Sequence, residues 1–231
     1  MKIVVCIKEV VDVSFSFALD QQTLEPLAED VFFKVNPADL CAAEIALQLK
    51  EQHGAEVTYL SFGPPRVEKT LRECLSLGGD HAVRIWDSSI APGSQGKTYL
   101  LAKVIQSLEA DLVLCGSQSL DEGRGETPAA LAELLDLPQM VGVTACELAA
   151  AQGVVTASRK LERGYREEIE CALPALLALE AGMVVPRYAP LAQRLKAFRE
   201  PVQLLEPSAI GVDPAELKQW DALRTLERRA L

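Results

Sequence analysis

The feature that most restricts the fold of this chain is a regular alternation of short apolar runs with helix-period segments over its first 140 residues. Ile3 to Ile7 is continuous and apolar, the pattern of a strand buried on both faces. Pro37 to Gln52 follows as a helix, with Leu40, Ile45, Ala46 and Leu49 on one face and Asn36-Pro37 at its start. The rhythm repeats: strand Glu56–Phe62, helix Arg66–Leu77 ended by Gly78-Gly79, strand Ala82–Trp86, helix Gly96–Leu108, strand Asp111–Cys115, helix Thr127–Leu135. Strands that alternate with helices are joined by right-handed crossovers, which gives a parallel sheet covered on both faces. The expected fold is α/β, a doubly wound, Rossmann-like parallel sheet.

After Pro138 the rhythm changes. Met140–Ala145, Val154–Lys160 and Tyr165–Ala172 read as strands with little helix between them, and Glu162-Arg163-Gly164 as a hairpin turn. Pro174–Glu180 is one more apolar strand. Beyond Pro186 the chain is punctuated by proline and basic, then helical from Pro214 to Leu231. Leu217, Trp220, Leu223 and Leu226 give that tail an amphipathic period, open to docking on its own domain or on another chain. The expected division is 1–185, a nucleotide-binding domain with a small β-hairpin extension, and 186–231, a recognition loop with a partner-docking arm.

A formal charge of −10 argues against nucleic-acid binding, which needs a cationic face to displace counterions. The six cysteines have no metal-like spacing, and His53 and His81 are far apart, so no metal site is expected. The opening strand is too short for a signal peptide or a transmembrane span, so the expectation is a reduced, cytoplasmic chain that does not span a membrane.

In an open parallel sheet, ligands bind beyond the carboxyl ends of the strands, near the point where strand order reverses. Lys8 leaves the first strand there. Gly116 to Thr127, with Ser117, Ser119, Arg124 and a helix start, leaves the fourth. Glycines allow close backbone approach and a helix start offers free amides, so this loop is the best phosphate cradle in the sequence. The plainer reading is a solvated acidic loop with a threonine cap. Ala91-Pro92-Gly93-Ser94-Gln95-Gly96-Lys97-Thr98 imitates a P-loop, but Ala91 stands where that pattern requires glycine. No nucleophile elbow or paired catalytic histidine is present, so no catalytic residue is assigned. A separate surface segment, Val185 to Leu191, brackets Arg187 and Tyr188 with prolines and presents an apolar Leu191.

These segments, in order, resemble the beta subunit of electron-transfer flavoproteins. Val5 to Asp12 is similar to that family's opening V-K-x-V-x-D, and Asn36-Pro37-x-Asp39 with Ala43 to Lys50 to its first helix. Glu68 to Arg72, Leu77 to Asp80, Gly116-x-Gln118-x-Leu120-Asp121 and Pro186 to Leu191 match its later landmarks. The resemblance implies an alpha subunit as partner and an FAD shared with it. AMP, or a second FAD, would sit in the crevice of this chain. It implies Cys6, Asn36, Pro37, Asp39, Phe62, Gly116, Gln118, Asp121, Gly123, Arg124, Gly125, Glu126 and Thr127 as nucleotide contacts. Arg187 and Tyr188 would lie toward the flavin, and Leu191 would anchor a redox partner, a dehydrogenase or an acceptor. Ser117 replaces a usual lysine, Pro128 a usual glycine, and Ala181 to Val185 a usual R-L-N-E, marking a divergent branch. The alternative from another class is a stand-alone adenine-nucleotide-binding or ATP-using regulatory domain.

Overall fold

The computed structural model describes residues 1–16, 31–90 and 92–222. The alternation of the sequence becomes strands β1 (Lys2–Cys6), β4 (Glu56–Phe62), β5 (His81–Ile85) and β6 (Leu112–Gly116), with β2 (Glu9–Val11) and β3 (Phe33–Val35) forming a small separate hairpin. Helices α1 (Pro37–His53), α2 (Val67–Leu77), α3 (Ser94–Leu108) and α4 (Glu126–Leu135) connect them. The β-rich region gives β7 (Gln139–Ala149), β8 (Val154–Lys160), β9 (Arg166–Ala172) and β10 (Ala175–Leu179), and the chain continues through α5 (Leu191–Ala197), β11 (Gln203–Leu205) and α6 (Pro214–Ala222).

The main sheet has the order β11-β5-β4-β1-β6-β10-β7-β8-β9. All neighbours from β11 to β7 are parallel, and β7-β8-β9 add an antiparallel extension. The doubly wound expectation therefore holds, with the hairpin extension in the place the sequence implied. Two apolar layers cover the sheet. Ile3, Val5, Val57 and Tyr59 face α1 and α2, whereas Val4, Leu60, Val113 and Leu131 join α3 and α4 on the other face. Because the parallel strands are buried on both faces, they read as unbroken apolar runs rather than alternating ones.

Two elements differ from the sequence expectation, and at a third one of the two alternatives left open is realised. The segment after Pro190 is a helix, not a loop. Gln203–Leu205 is a strand that pairs with β5 at the far edge of the sheet. The start of the tail docks on its own chain: Leu217 is buried among the α3-side residues and the Trp220 ring stacks on Tyr99 at 4.8 Å. Leu223 and Leu226 lie outside the described residues. Strand order reverses between β1 and β6, since β4 and β5 lie on one side of β1 and β6 and β10 on the other. That reversal positions the site.

Candidate functional site

Where neighbouring strands diverge to opposite sides, their carboxyl ends leave a gap that no connection fills. Here a crevice of about 850 Å³ opens at the ends of β1, β4 and β6. Asp39, in the first turn of α1, fixes its floor. The backbone N–H of Lys8 donates to its Oδ2 at 2.8 Å, and that of Gly116 to its Oδ1 at 2.9 Å. Asn36 does not cap α1 with its side chain. Its Nδ2 instead donates to Asp39 Oδ1 and to the Gln118 carbonyl, each at 3.1 Å, while its Oδ1 accepts from the Leu120 N–H. Two residues at the start of one helix thus tie together the ends of β1 and β6.

Gly116 is required there because a Cβ would sit 2.5 Å from Asp39 Oδ1 and 2.6 Å from Ala38 Cβ. Burial pushes the Asp39 carboxyl up to about 6, beyond the lowering by the Lys8 and Gly116 amides and Asn36. Cys6, also on the floor, is pushed up to about 12 by burial and by Asp39, so it is a neutral thiol at pH 7.

The glycine loop forms one flank. Gly123 and Gly125 both have positive φ, 61° and 63°, and Gly125 introduces α4. A Cβ on Gly125 would approach the Ser117 carbonyl to 3.2 Å. Lys8 bridges to this loop, with Nζ 2.7 Å from Asp121 Oδ1 and 3.2 Å from Ser119 Oγ. Lys8, Arg124, Gly125, Glu126 and Thr127 all face the crevice. The cradle combines a left-handed glycine turn, a helix start and two cations, a donor set suited to a phosphate.

Phe62 apart, the opposite flank was not legible in the sequence. Trp86 follows β5 and packs against Phe62 with ring centroids 5.5 Å apart, while Lys97 Nζ lies 5.8 Å from the Phe62 ring centre. Pro92, Gly93, Ser94 and Gln95 bring the start of α3 to the same wall. The position of Trp86 at the carboxyl end of a parallel strand was the available signal. Of the P-loop lookalike, Gly93, Lys97 and Thr98 also border the crevice although the glycine pattern is broken, and Ala91 lies outside the described residues.

Of the residues singled out in the sequence, Cys6, Asn36, Asp39, Phe62, Gly116, Gln118, Arg124, Gly125, Glu126 and Thr127 meet at this crevice. Pro37 opens α1 behind it, and Asp121 and Gly123 lie in the loop without lining it. Arg187, Tyr188 and Leu191 lie outside its wall. The Arg187 guanidinium pairs with Glu44 (Nε–Oε2 2.9 Å, Nη2–Oε1 3.0 Å) and with Glu51, and its backbone N–H also donates to Glu44. Burial of Glu44 is more than offset by hydrogen bonds from Arg187 and Gln48, which hold its carboxyl below the usual carboxylate range. Tyr188 is exposed and lies against the Arg194 guanidinium.

Helix α5 extends this second surface. Leu191, Leu195 and Phe198 are 72%, 61% and 76% exposed and recur at helical spacing on one face. Arg72 of α2 clamps the end of α5 by donating to the carbonyls of Ala197, Phe198 and Glu200. Among the described residues no helix is long and apolar enough to cross a membrane, and no three His, Cys, Asp or Glu side chains are grouped to hold a metal.

A sequence model described as "Electron transfer flavoprotein domain" matches residues 27–210. The chain is 34% identical to electron transfer flavoprotein subunit beta of Thermoanaerobacterium thermosaccharolyticum, over 94% of this chain and 83% of the relative. It is 29% identical to the subunit beta of Methylophilus methylotrophus, over 99% and 88%. It is also 31% identical to the CarD subunit of a caffeyl-CoA reductase-Etf complex of Acetobacterium woodii, over 93% and 81%.

Proposed function

The chain belongs to the electron transfer flavoprotein family, and from that premise we propose that it is the beta-type half of a two-chain electron carrier. FAD would be held where it meets an alpha-type chain, and AMP in its own crevice. The observation that carries this reading is the crevice at the β1/β6 reversal, floored by Asn36, Asp39 and Gly116 and flanked by the glycine loop. Its residues fit a nucleotide monophosphate. Gly125 turns the loop at positive φ into the start of α4, whose first-turn amides can reach a ligand, while Lys8 and Arg124 line the crevice with positive charge.

Bound FAD supplies the electron-carrying ring. The residues of this chain bind, orient and dock. Arg187 secures the 185–191 segment to α1 through Glu44 and Glu51, and Arg72 secures the far end of α5. An exposed apolar face held at both ends suits a transient redox partner, a dehydrogenase or an acceptor, because apolar contact needs no charge pairing.

One feature favours a second reading. The crevice continues past the phosphate cradle to the Phe62–Trp86 pair, a wall against which another aromatic ring could stack, so a second FAD could replace AMP. Co-expression with an alpha-type chain followed by chromatography of the released nucleotides tests both. One FAD and one AMP per heterodimer is the expected result, and two FAD would favour the second reading. A colourless monomer that releases no nucleotide would overturn both.

A further inference from the structure

The first turn of α3 has no cap of its own. Its amides are taken by a residue from the far end of the chain: Gly93 N–H donates to Asp221 Oδ2 at 2.7 Å and Gly96 N–H to Asp221 Oδ1 at 2.9 Å. The glycines make this possible, since a Cβ on Gly93 or Gly96 would lie 2.8 Å or 3.0 Å from the same carboxylate. Asp221 reaches them because α6 is held on α3 by buried Leu217, by the Trp220–Tyr99 stack and by a hydrogen bond from the Tyr99 hydroxyl to Glu216. The carboxylate itself lines the nucleotide crevice, across from the glycine loop and the start of α4.

The crevice therefore has two helix starts with outward amides, and the C-terminal arm fills one of them with a negative charge. From this geometry we infer that Asp221 is a selectivity residue for the crevice ligand: the docked arm admits a nucleotide with one phosphate and disfavours one carrying a second anionic group. An additional phosphate would meet like charge from Asp221 and find the Gly93 and Gly96 amides already bonded. With the arm released, the same amides and Lys97 would become its partners. This inference rests on the reading of the crevice as a nucleotide site and adds the feature that sets which nucleotide.

The test is calorimetric titration of the full chain with AMP and with ADP, for the wild type, Asp221→Asn and Glu216→Gln. Asp221→Asn should tighten ADP relative to AMP by about fivefold, the size of one charge at a helix terminus, with AMP itself moving less than twofold. Glu216→Gln loosens the arm at Tyr99 and touches no crevice wall, and should shift the ratio in the same direction. An ADP-to-AMP ratio unchanged in both variants overturns the inference and leaves Asp221 as a helix cap alone. Failure of the wild type and both variants to bind either nucleotide overturns the crevice reading as well.

Discussion

Asp39 accepts a hydrogen bond from the Gly116 amide across 77 residues of chain, at 2.9 Å, so the start of α1 and the end of β6 are one structural joint. The joint leaves no space at residue 116. Gly116→Ala would drive a methyl against Asp39 Oδ1 and Ala38, both backed by buried residues. Overpacking of this kind costs about 2–3 kcal/mol. Urea denaturation should show that loss, and AMP titration should show binding gone, because shifting Asp39 also releases the Lys8 amide.

The raised Asp39 carboxyl gives a pH dependence of definite sign. Its folded value of about 6 lies above the unfolded value near 3.8, so between these values the folded state binds more protons than the unfolded one. The contribution to stability is then greatest at low pH and falls as pH rises toward 6. Asp39→Asn, which does not titrate, should be destabilising throughout, since an amide cannot accept from three donors equally well. Its cost relative to wild type should shrink by about 1 kcal/mol between pH 5 and pH 7. Denaturant midpoints at the two pH values measure the difference, and a constant cost would contradict the burial argument.

Much of the sheet could be read from the sequence because parallel strands buried on both faces are continuous apolar runs, as in Ile3–Ile7 and Leu112–Cys115. β2, β3 and β11 escaped because three residues carry no period. The crevice was half visible. The glycine loop carries its own turn chemistry within ten residues, whereas Trp86 and Asp221 reach the opposite wall only through tertiary crossing. Arg187 shows the same limit: a cation beside a tyrosine reads as a contact surface, but its Glu44 partner lies 143 residues away.

That Arg187–Glu44 pairing separates the two surfaces experimentally. Glu44 is almost fully buried, so Arg187→Ala would leave a carboxylate without its main partner. Arg187 is partly exposed, which places the cost below that of a fully buried pair, at about 2–3 kcal/mol. Arg187→Lys keeps the charge but loses the two-pronged geometry, and should cost roughly half as much. AMP affinity, measured under conditions where each variant remains folded, should stay within twofold of wild type because Arg187 is outside the crevice wall. A large loss of AMP binding would place the residue in the nucleotide site instead.

The exposed face of α5 should show the opposite signature. Leu191, Leu195 and Phe198 bury little surface in this chain, so truncating any one of them removes little packing, and the melting temperature of Leu191→Ala or Leu195→Ala should stay within about 2 °C of wild type. If this face docks a redox partner, the same substitutions should slow electron transfer between the flavin-loaded complex and that partner about tenfold or more, since one apolar anchor in a small interface carries much of the binding. Arg72→Ala supplies the control on rigidity. It keeps every apolar side chain of the face but frees the end of α5, whose Ala197, Phe198 and Glu200 carbonyls it now holds. Its transfer rate should fall through a higher partner KM, with the rate at saturating partner retained. If Leu191→Ala, Leu195→Ala and Arg72→Ala all transfer electrons at wild-type rates, the α5 face is not the docking surface.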